Sequence, residues 1–223
     1  ADLAKQLGRV LGLDQEELVA LELVATLHDI GKISIDSKLL KKNTPLTEAE
    51  WAEIKKHPEV GYRIAQTVPE LRKISEYILC HHERWDGNGY PQGLKGAEIP
   101  LPARILAIVD AYDAMTQDRS YRPAMAEREA IAELQRHAGS QFDPDLVTVF
   151  IDEVIEKRIT LTPGGRELIA TMKAKGYYAA LVSGGFTVFT SRIAAMLGFD
   201  ENRANLLLDA DGKLTGEVAE PIL

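Results

Sequence analysis

The 223-residue sequence predicts a mainly α-helical protein that closes on a partial α/β segment. Three observations carry this. Apolar residues recur at helical spacing through the first two thirds, punctuated by capping signals. No strand-like alternation of any length precedes residue 158. Beyond Thr160 a helix, a β-rich run and a second helix follow in quick succession, which is the order of an α/β unit. The domain boundary is therefore placed near residue 158, dividing the chain into 1–157 and 158–223.

The elements read in order as follows. Asp14 with Glu17 forms a capping pair, and Leu18, Leu21, Val24 and Ala25 continue at helical spacing until Gly31 ends the run. Thr47 and Glu50 form a second capping box, opening a helix that reaches His57, where Pro58 marks a break or a fresh start. A helix is expected over about 70–83, another from Pro102 through RILAIVDAYDAM, a fifth over about 125–138 ending at Gly139, and a sixth from Asp143-Pro144. After the turn Pro163-Gly164-Gly165 come the helix RELIATMKAKG, the strand YYAALVS, the loop GGF and a helix to Leu197. DADGK, between LLL and KLTGEV, reads as a hairpin turn rather than a metal loop.

Composition narrows the function. With 45% hydrophobic and 27% charged residues the chain is an ordinary globular one, so disorder is not expected. A net charge of -8 argues against a nucleic-acid polymer, whose phosphates need a basic surface, but leaves room for a small anionic ligand at a local cluster of cations. The single cysteine, Cys80, allows no internal disulfide. No apolar run approaches the length of a membrane span and no signal peptide opens the chain, so a cytoplasmic location is expected.

Four of the five histidines, His28, His57, His81 and His82, stand at helix ends or beside breaks. His28 shares an apolar stripe with Leu21 and Val24, and Asp110 lies in a still more apolar helix, where a buried carboxylate needs a cationic partner. Each residue taken singly fits a satisfied core position or a cap. Their joint occurrence with Asp29 favours mixed imidazole and carboxylate ligation, which suits Fe, Mn or Zn. Six ligands exceed one tetrahedral site, so two divalent metal ions are expected, an arrangement suited to phosphoester hydrolysis. Lys32, beyond His28, is placed to meet phosphate charge.

LHDIGK at 27–32, HPEVG at 57–61, HHERWDGNGYP at 81–91, VDAYDAM at 109–115 and DRSYRP at 118–123 together resemble the HD-GYP domain, a subgroup of the HD metal-dependent phosphohydrolases. The resemblance covers about residues 5–157. It implies an all-helical bundle that hydrolyses cyclic di-GMP to pGpG or GMP with two or three metal ions. It assigns metal ligation to His28, Asp29, His57, His81, His82 and Asp110, and matches Lys32 to a lysine near the bridging hydroxide. Arg119 and Arg122 match positions that hold the dinucleotide phosphates, a task suited to arginine's planar fork. Gly89, Tyr90 and Pro91 form the namesake loop, implying a shaped site rim and protein-partner contacts. The family places a further ligand histidine about thirty residues before the HD pair, ahead of Ala1, so weakened metal affinity and low activity are expected. A module that binds cyclic di-GMP or a protein without turnover is the alternative from another functional class.

Residues from about 159 to 223 resemble phosphoserine phosphatases of the haloacid dehalogenase superfamily, with a Rossmann-like α/β fold. The resemblance implies that Ser183 and the Gly184 amide hold a phosphate. The family's nucleophilic aspartate would fall before residue 159, where HD-GYP-like sequence stands, and its lysine and Mg²⁺-binding acids beyond Leu223. Mg²⁺ is expected only if that site were completed, so the segment reads as catalytically inert and the junction as an artificial join. YYAALVS is expected to lack a neighbouring strand, leaving an edge prone to pairing with another chain, as in a homodimer.

Overall fold

The computed structural model describes residues 1–42, 44–118, 123–158, 162–210 and 213–219. α1 (Asp2–Val10) and α2 (Gln15–Leu27) pack against each other. The predicted capping box is present: the Asp14 side chain accepts from the Glu17 amide at 2.9 Å, and the Glu17 carboxylate accepts from the Asp14 amide at 2.8 Å. α2 stops at Leu27 rather than at Gly31, which falls inside a tight 3-10 turn, Ile30–Ser34.

Gly31 is needed there for closeness. A Cβ on it would lie 1.9 Å from the His57 carbonyl oxygen and 2.6 Å from the Gly61 nitrogen. The turn thus packs backbone to backbone on the helix that His57 opens, and this contact sets the spacing between Asp29 and His57. Gly31→Ala is expected to cost about 3 kcal/mol, the upper end of ordinary overpacking, because backbone rather than a flexible side chain must give way. The urea midpoint should fall accordingly; an unchanged midpoint would contradict the close approach.

α3 (Ser37–Leu40) is a single turn, and α4 (Glu48–Ile54) begins at the predicted Thr47–Glu50 capping box. α5 (His57–Thr67) is a fresh start, with Pro58 in the first turn where its missing N–H costs nothing. The helix expected over 70–83 is shorter: a 3-10 turn, Pro69–Ile74, leads into α6 (Ser75–Cys80), which ends before His81. α7 (Leu101–Thr116), α8 (Glu127–Arg136) and α9 (Pro144–Arg158) complete the bundle.

The core gathers one stripe from each of α1, α2, α6, α7, α8 and α9: Leu3 and Leu7, Leu21 and Val24, Ile78, Ile105, Ile108 and Tyr112, Ile131 and Leu134, and Phe150. Tyr112 and Phe150 meet edge to face with centroids 5.2 Å apart. Arg104 donates to Asp143 at 2.7 Å, tying α7 to the start of α9. The expectation that Asp110 is buried fails. Its side chain is 48% exposed, because the apolar stripe of α7 turns Ile105, Ile108, Val109 and Tyr112 inward and leaves Asp110 on the opposite face.

The carboxyl segment contains α10 (Gly165–Ala174), β1 (Ala180–Phe186), α11 (Thr187–Leu197), β2 (Glu201–Asn205), β3 (Leu207–Ala210) and β4 (Lys213–Val218). β1 absorbs the predicted GGF loop. β2 lies parallel to β1, Ala180 opposite Glu201 through Ser183 opposite Ala204, making a β-α-β unit with α11 as the crossover. One side of β1 is therefore paired, and its other edge has no partner strand among the described residues, so the expected open edge remains. The sequence ENRAN hides β2 because it has no apolar alternation. β3 and β4 form the antiparallel hairpin expected around DADGK, whose Asp211 and Gly212 lie outside the described residues. An Arg192–Asp152 ion pair joins α11 to α9.

Candidate metal centre

Three helix ends and one helix face converge. His28 caps the carboxyl end of α2 and Asp29 follows it; His57 opens α5; His81 and His82 follow the last turn of α6; Asp110 projects from α7. Asp29, His57, His81 and His82 each offer a ligand atom, and these atoms all lie within 4.8 Å of one another. The Asp29 Oδ1 stands 3.4 Å from His57 Nε2 and 4.0 Å from His81 Nε2. Its Oδ2 faces the other way, 3.5 Å from His28 Nε2, which is itself 3.9 Å from Asp110 Oδ1. His81 and His82 fall in the same quartet.

The tautomers follow from the backbone. The Nδ1 atoms of His28, His57 and His81 face the carbonyls of Ala25, Ile54 and Ile78 at 3.2, 2.7 and 2.6 Å. A carbonyl can only accept, so each Nδ1 carries the proton and each Nε2 presents a lone pair. The Nε2 atoms of His57 and His81 then face each other at 3.2 Å, acceptor to acceptor, inside the protein. A cation between them resolves that repulsion, and carbonyl-anchored imidazoles are the usual support for metal ligands. The donor set therefore fits a divalent metal.

The electrostatics agree. Burial, reinforced by the neighbouring His82, holds His81 well below the ordinary histidine range. Burial and the nearby His57 lower His82 to about 3. Burial disfavours an ionised Asp29, but the hydrogen bond and the charge of Lys32 oppose it, and the carboxyl is held well below the usual carboxylate range. Lys32 Nζ donates to Asp29 Oδ2 at 2.6 Å, so this lysine is tied to the ligand set.

The two lowered histidines predict a pH effect in metal-free protein. The unfolded chain takes up their protons near pH 6.5 while the folded chain does not, so stability falls as pH drops below that value and is level above it. The slope is about 1.4 kcal/mol per pH unit for each histidine. In chelator, the urea midpoint should fall between pH 7 and 5.5, and His82→Gln should flatten the fall. Equal midpoints at both pH values would refute this.

The loop after His82 shows what the sequence did not reveal. Glu83 is 4% exposed, and its carboxylate accepts from the amides of Gln92, Gly93 and Leu94 at 2.7, 3.2 and 3.1 Å. Gly89 passes so close that a Cβ would lie 2.4 Å from the Arg84 nitrogen. Arg84 pairs with Asp86 at 2.9 Å and donates to Gln141 at 3.2 Å, fastening the loop to the start of α9. The Tyr90 ring is thereby laid on His82, centroids 4.9 Å apart. Burial, with Asp29 adding to it, pushes the Tyr90 hydroxyl up to about 12. The only sequence sign of the Glu83 clamp was an acid between two histidines and a glycine loop.

A cavity of about 190 Å³ opens beside the quartet, lined by His81, His82, Glu83, Asp110 and Gln141 among others. Arg119 and Arg122 lie outside the described residues. Ser183 and Gly184 lie on β1 in the α/β segment, and the Gly184 carbonyl accepts from Asn205 Nδ2 at 2.8 Å. Cys80 is buried, and burial together with Glu83 and Glu76 pushes its thiol up to about 12, which leaves it unreactive. Among the described residues no helix is long and apolar enough to cross a membrane.

Comparison with known proteins places this geometry in context. The HD domain family matches residues 1–146, and the haloacid dehalogenase-like hydrolase family matches residues 96–222. A cyclic di-GMP phosphodiesterase of Thermotoga maritima is 38% identical over 160 residues, covering 71% of this chain and 43% of that protein. The cyclic di-GMP phosphodiesterase response regulator RpfG of Xanthomonas campestris pv. campestris is 42% identical over 143 residues, 63% of this chain and 38% of its own. A 3'3'-cGAMP-specific phosphodiesterase of Vibrio cholerae is 36% identical over 162 residues, 70% and 31% of the two chains. The chain thus spans less than half the length of these relatives. Among solved structures, an HDGYP protein from Bdellovibrio bacteriovorus has the same fold over 67% of this chain and 48% of that one, with a TM-score of 0.54 at 23% identity. The chain belongs to the HD domain family across residues 1–146 and to the haloacid dehalogenase-like hydrolases across residues 96–222.

Proposed function

We propose that residues 1–157 form a metal-dependent phosphodiesterase that hydrolyses cyclic di-GMP to pGpG or GMP. The observation that carries this reading is the pair of imidazole lone pairs, on His57 and His81, facing each other at 3.2 Å beside a carboxylate whose two oxygens point to different histidines. Asp29, His57, His81 and His82 would hold one ion, and His28, Asp29 and Asp110 a second, of Fe, Mn or Zn type. Such a metal pair, when bound, supplies hydroxide at neutral pH and neutralises phosphoryl oxygens.

The chain's own groups then bind and orient. Lys32, held at the cluster by Asp29, offers a cation to a phosphate oxygen. Tyr90, protonated at neutral pH, can donate a hydrogen bond from the rim. Arg119 and Arg122 are proposed to grip the dinucleotide phosphates. The namesake loop is proposed as a contact for a protein partner, and residues 158–223, with Ser183 and Gly184, as a non-catalytic segment.

The test is elemental analysis of the purified chain with hydrolysis assays on cyclic di-GMP and 3'3'-cGAMP in Mn²⁺ or Fe²⁺. Two ions per chain and pGpG or GMP from cyclic di-GMP support the proposal. Bound dinucleotide without product refutes hydrolysis and identifies a binding module; preference for 3'3'-cGAMP refutes the substrate.

A further inference from the structure

We propose that α4 carries a guanine-binding subsite of the same site, in which Trp51 stacks the base, Glu48 reads its edge and Lys55 meets the adjoining phosphate. The inference deepens the phosphodiesterase reading and rests on it for the identity of the ligand. α4 buries none of its residues, and Trp51 is 48% exposed. Glu48, Trp51, Ala52 and Lys55 line an open groove of about 530 Å³. Spacings of three and four residues put Glu48, Trp51 and Lys55 on one helix face.

This groove adjoins the metal centre. Lys55 Nζ stands 5.3 Å from the centroid of the Tyr90 ring, Tyr90 stacks on His82, and His82 belongs to the quartet. The charges on α4 are also sorted. Glu50 accepts from Lys42 and Glu53 from Lys56, both at 2.6 Å. No ion pair among the described residues engages Glu48 or Lys55. An exposed indole flanked by a carboxylate and an ammonium, neither in an ion pair among the described residues, matches a planar heterocycle bearing a phosphate. The carboxylate selects the base. Guanine offers two parallel N–H donors on its Watson–Crick edge, which a carboxylate accepts together, whereas adenine presents an acceptor there and is repelled. The indole supplies stacking that any base would share.

Binding of GMP, AMP and guanosine, followed by tryptophan fluorescence and calorimetry in chelator, tests the inference without metal or turnover. GMP should quench the wild type. Trp51→Ala, which keeps Trp85 as a fluorescent reference, should abolish the quench and weaken GMP about tenfold or more. Glu48→Gln should weaken GMP while leaving AMP unchanged, and Lys55→Ala should weaken GMP but not guanosine. All three side chains are at the surface, and circular dichroism verifies that the variants fold. GMP binding to Trp51→Ala at wild-type strength, or equal loss of GMP and AMP in Glu48→Gln, overturns the proposal. A chain that binds GMP through Trp51 yet yields no product from cyclic di-GMP sinks the phosphodiesterase reading and supports this subsite.

Discussion

Asp29→Asn should release metal from the whole cluster, lowering affinity by more than about 100-fold and removing any phosphodiesterase activity with it. Even changes to residues that only support a metal ligand cost about 10–100-fold, and the two oxygens of Asp29 face His28 and His57 respectively. An amide supplies one neutral oxygen in place of a shared negative charge. Lys32 also loses its 2.6 Å partner, so its ammonium would bear on the vacated centre and further disfavour a cation. Competitive titration against a chelating dye, with metal counted after dialysis, measures the effect. Wild-type affinity in Asp29→Asn would exclude this carboxylate from the ligand set. Asp110→Asn should cost less, because its 48% exposed side chain stands only at the His28 side.

Glu83→Ala should be the most destabilising change outside the ligand set. It leaves the amides of Gln92, Gly93 and Leu94, which belong to exposed or half-buried residues, without their buried acceptor. Three fully buried, unsatisfied donors would cost about 3–9 kcal/mol, and because water reaches part of this loop a loss in the lower half of that range, about 3–6 kcal/mol, is expected. Glu83→Gln should recover part of it, since the remaining oxygen can take the Gln92 and Gly93 amides while the new NH₂ opposes Leu94. Urea unfolding gives the stability, and hydrogen exchange at residues 92–94 gives the local effect. Slow exchange at those amides in Glu83→Ala would show that the clamp is not what holds the loop. Because the same loop lays Tyr90 on His82, the loosened variant should also bind metal less tightly than wild type.

The capping boxes at Asp14 and Thr47 were legible because capping is a local event, settled within four residues by side chain and backbone alone. The fresh start at His57 was legible for the same reason, since Pro58 fits only the first turn. The histidines were legible as a set through their shared position at helix ends. Other positions misled. Gly31 read as a helix stop, yet its role is to admit the His57 carbonyl from a segment twenty-six residues away, which no local pattern records. Asp110 read as buried because its sequence neighbours are apolar, although a helix turns neighbours to different faces. ENRAN gave no strand signal, because a short strand paired in parallel can owe its place to backbone hydrogen bonds with β1.

By itself, then, the sequence determined the helical class with its α/β ending, the caps and the candidate ligands, all of which follow from residue type and short-range periodicity. Only the tertiary structure decided that Asp29 faces two ways, that His81 and His82 share one quartet, that Glu83 holds the loop and that Lys55 stands over its Tyr90 ring. Those are relations between segments far apart in the chain. They are fixed by how closely backbones such as Gly31 and His57 can pack and by which buried donors must find an acceptor.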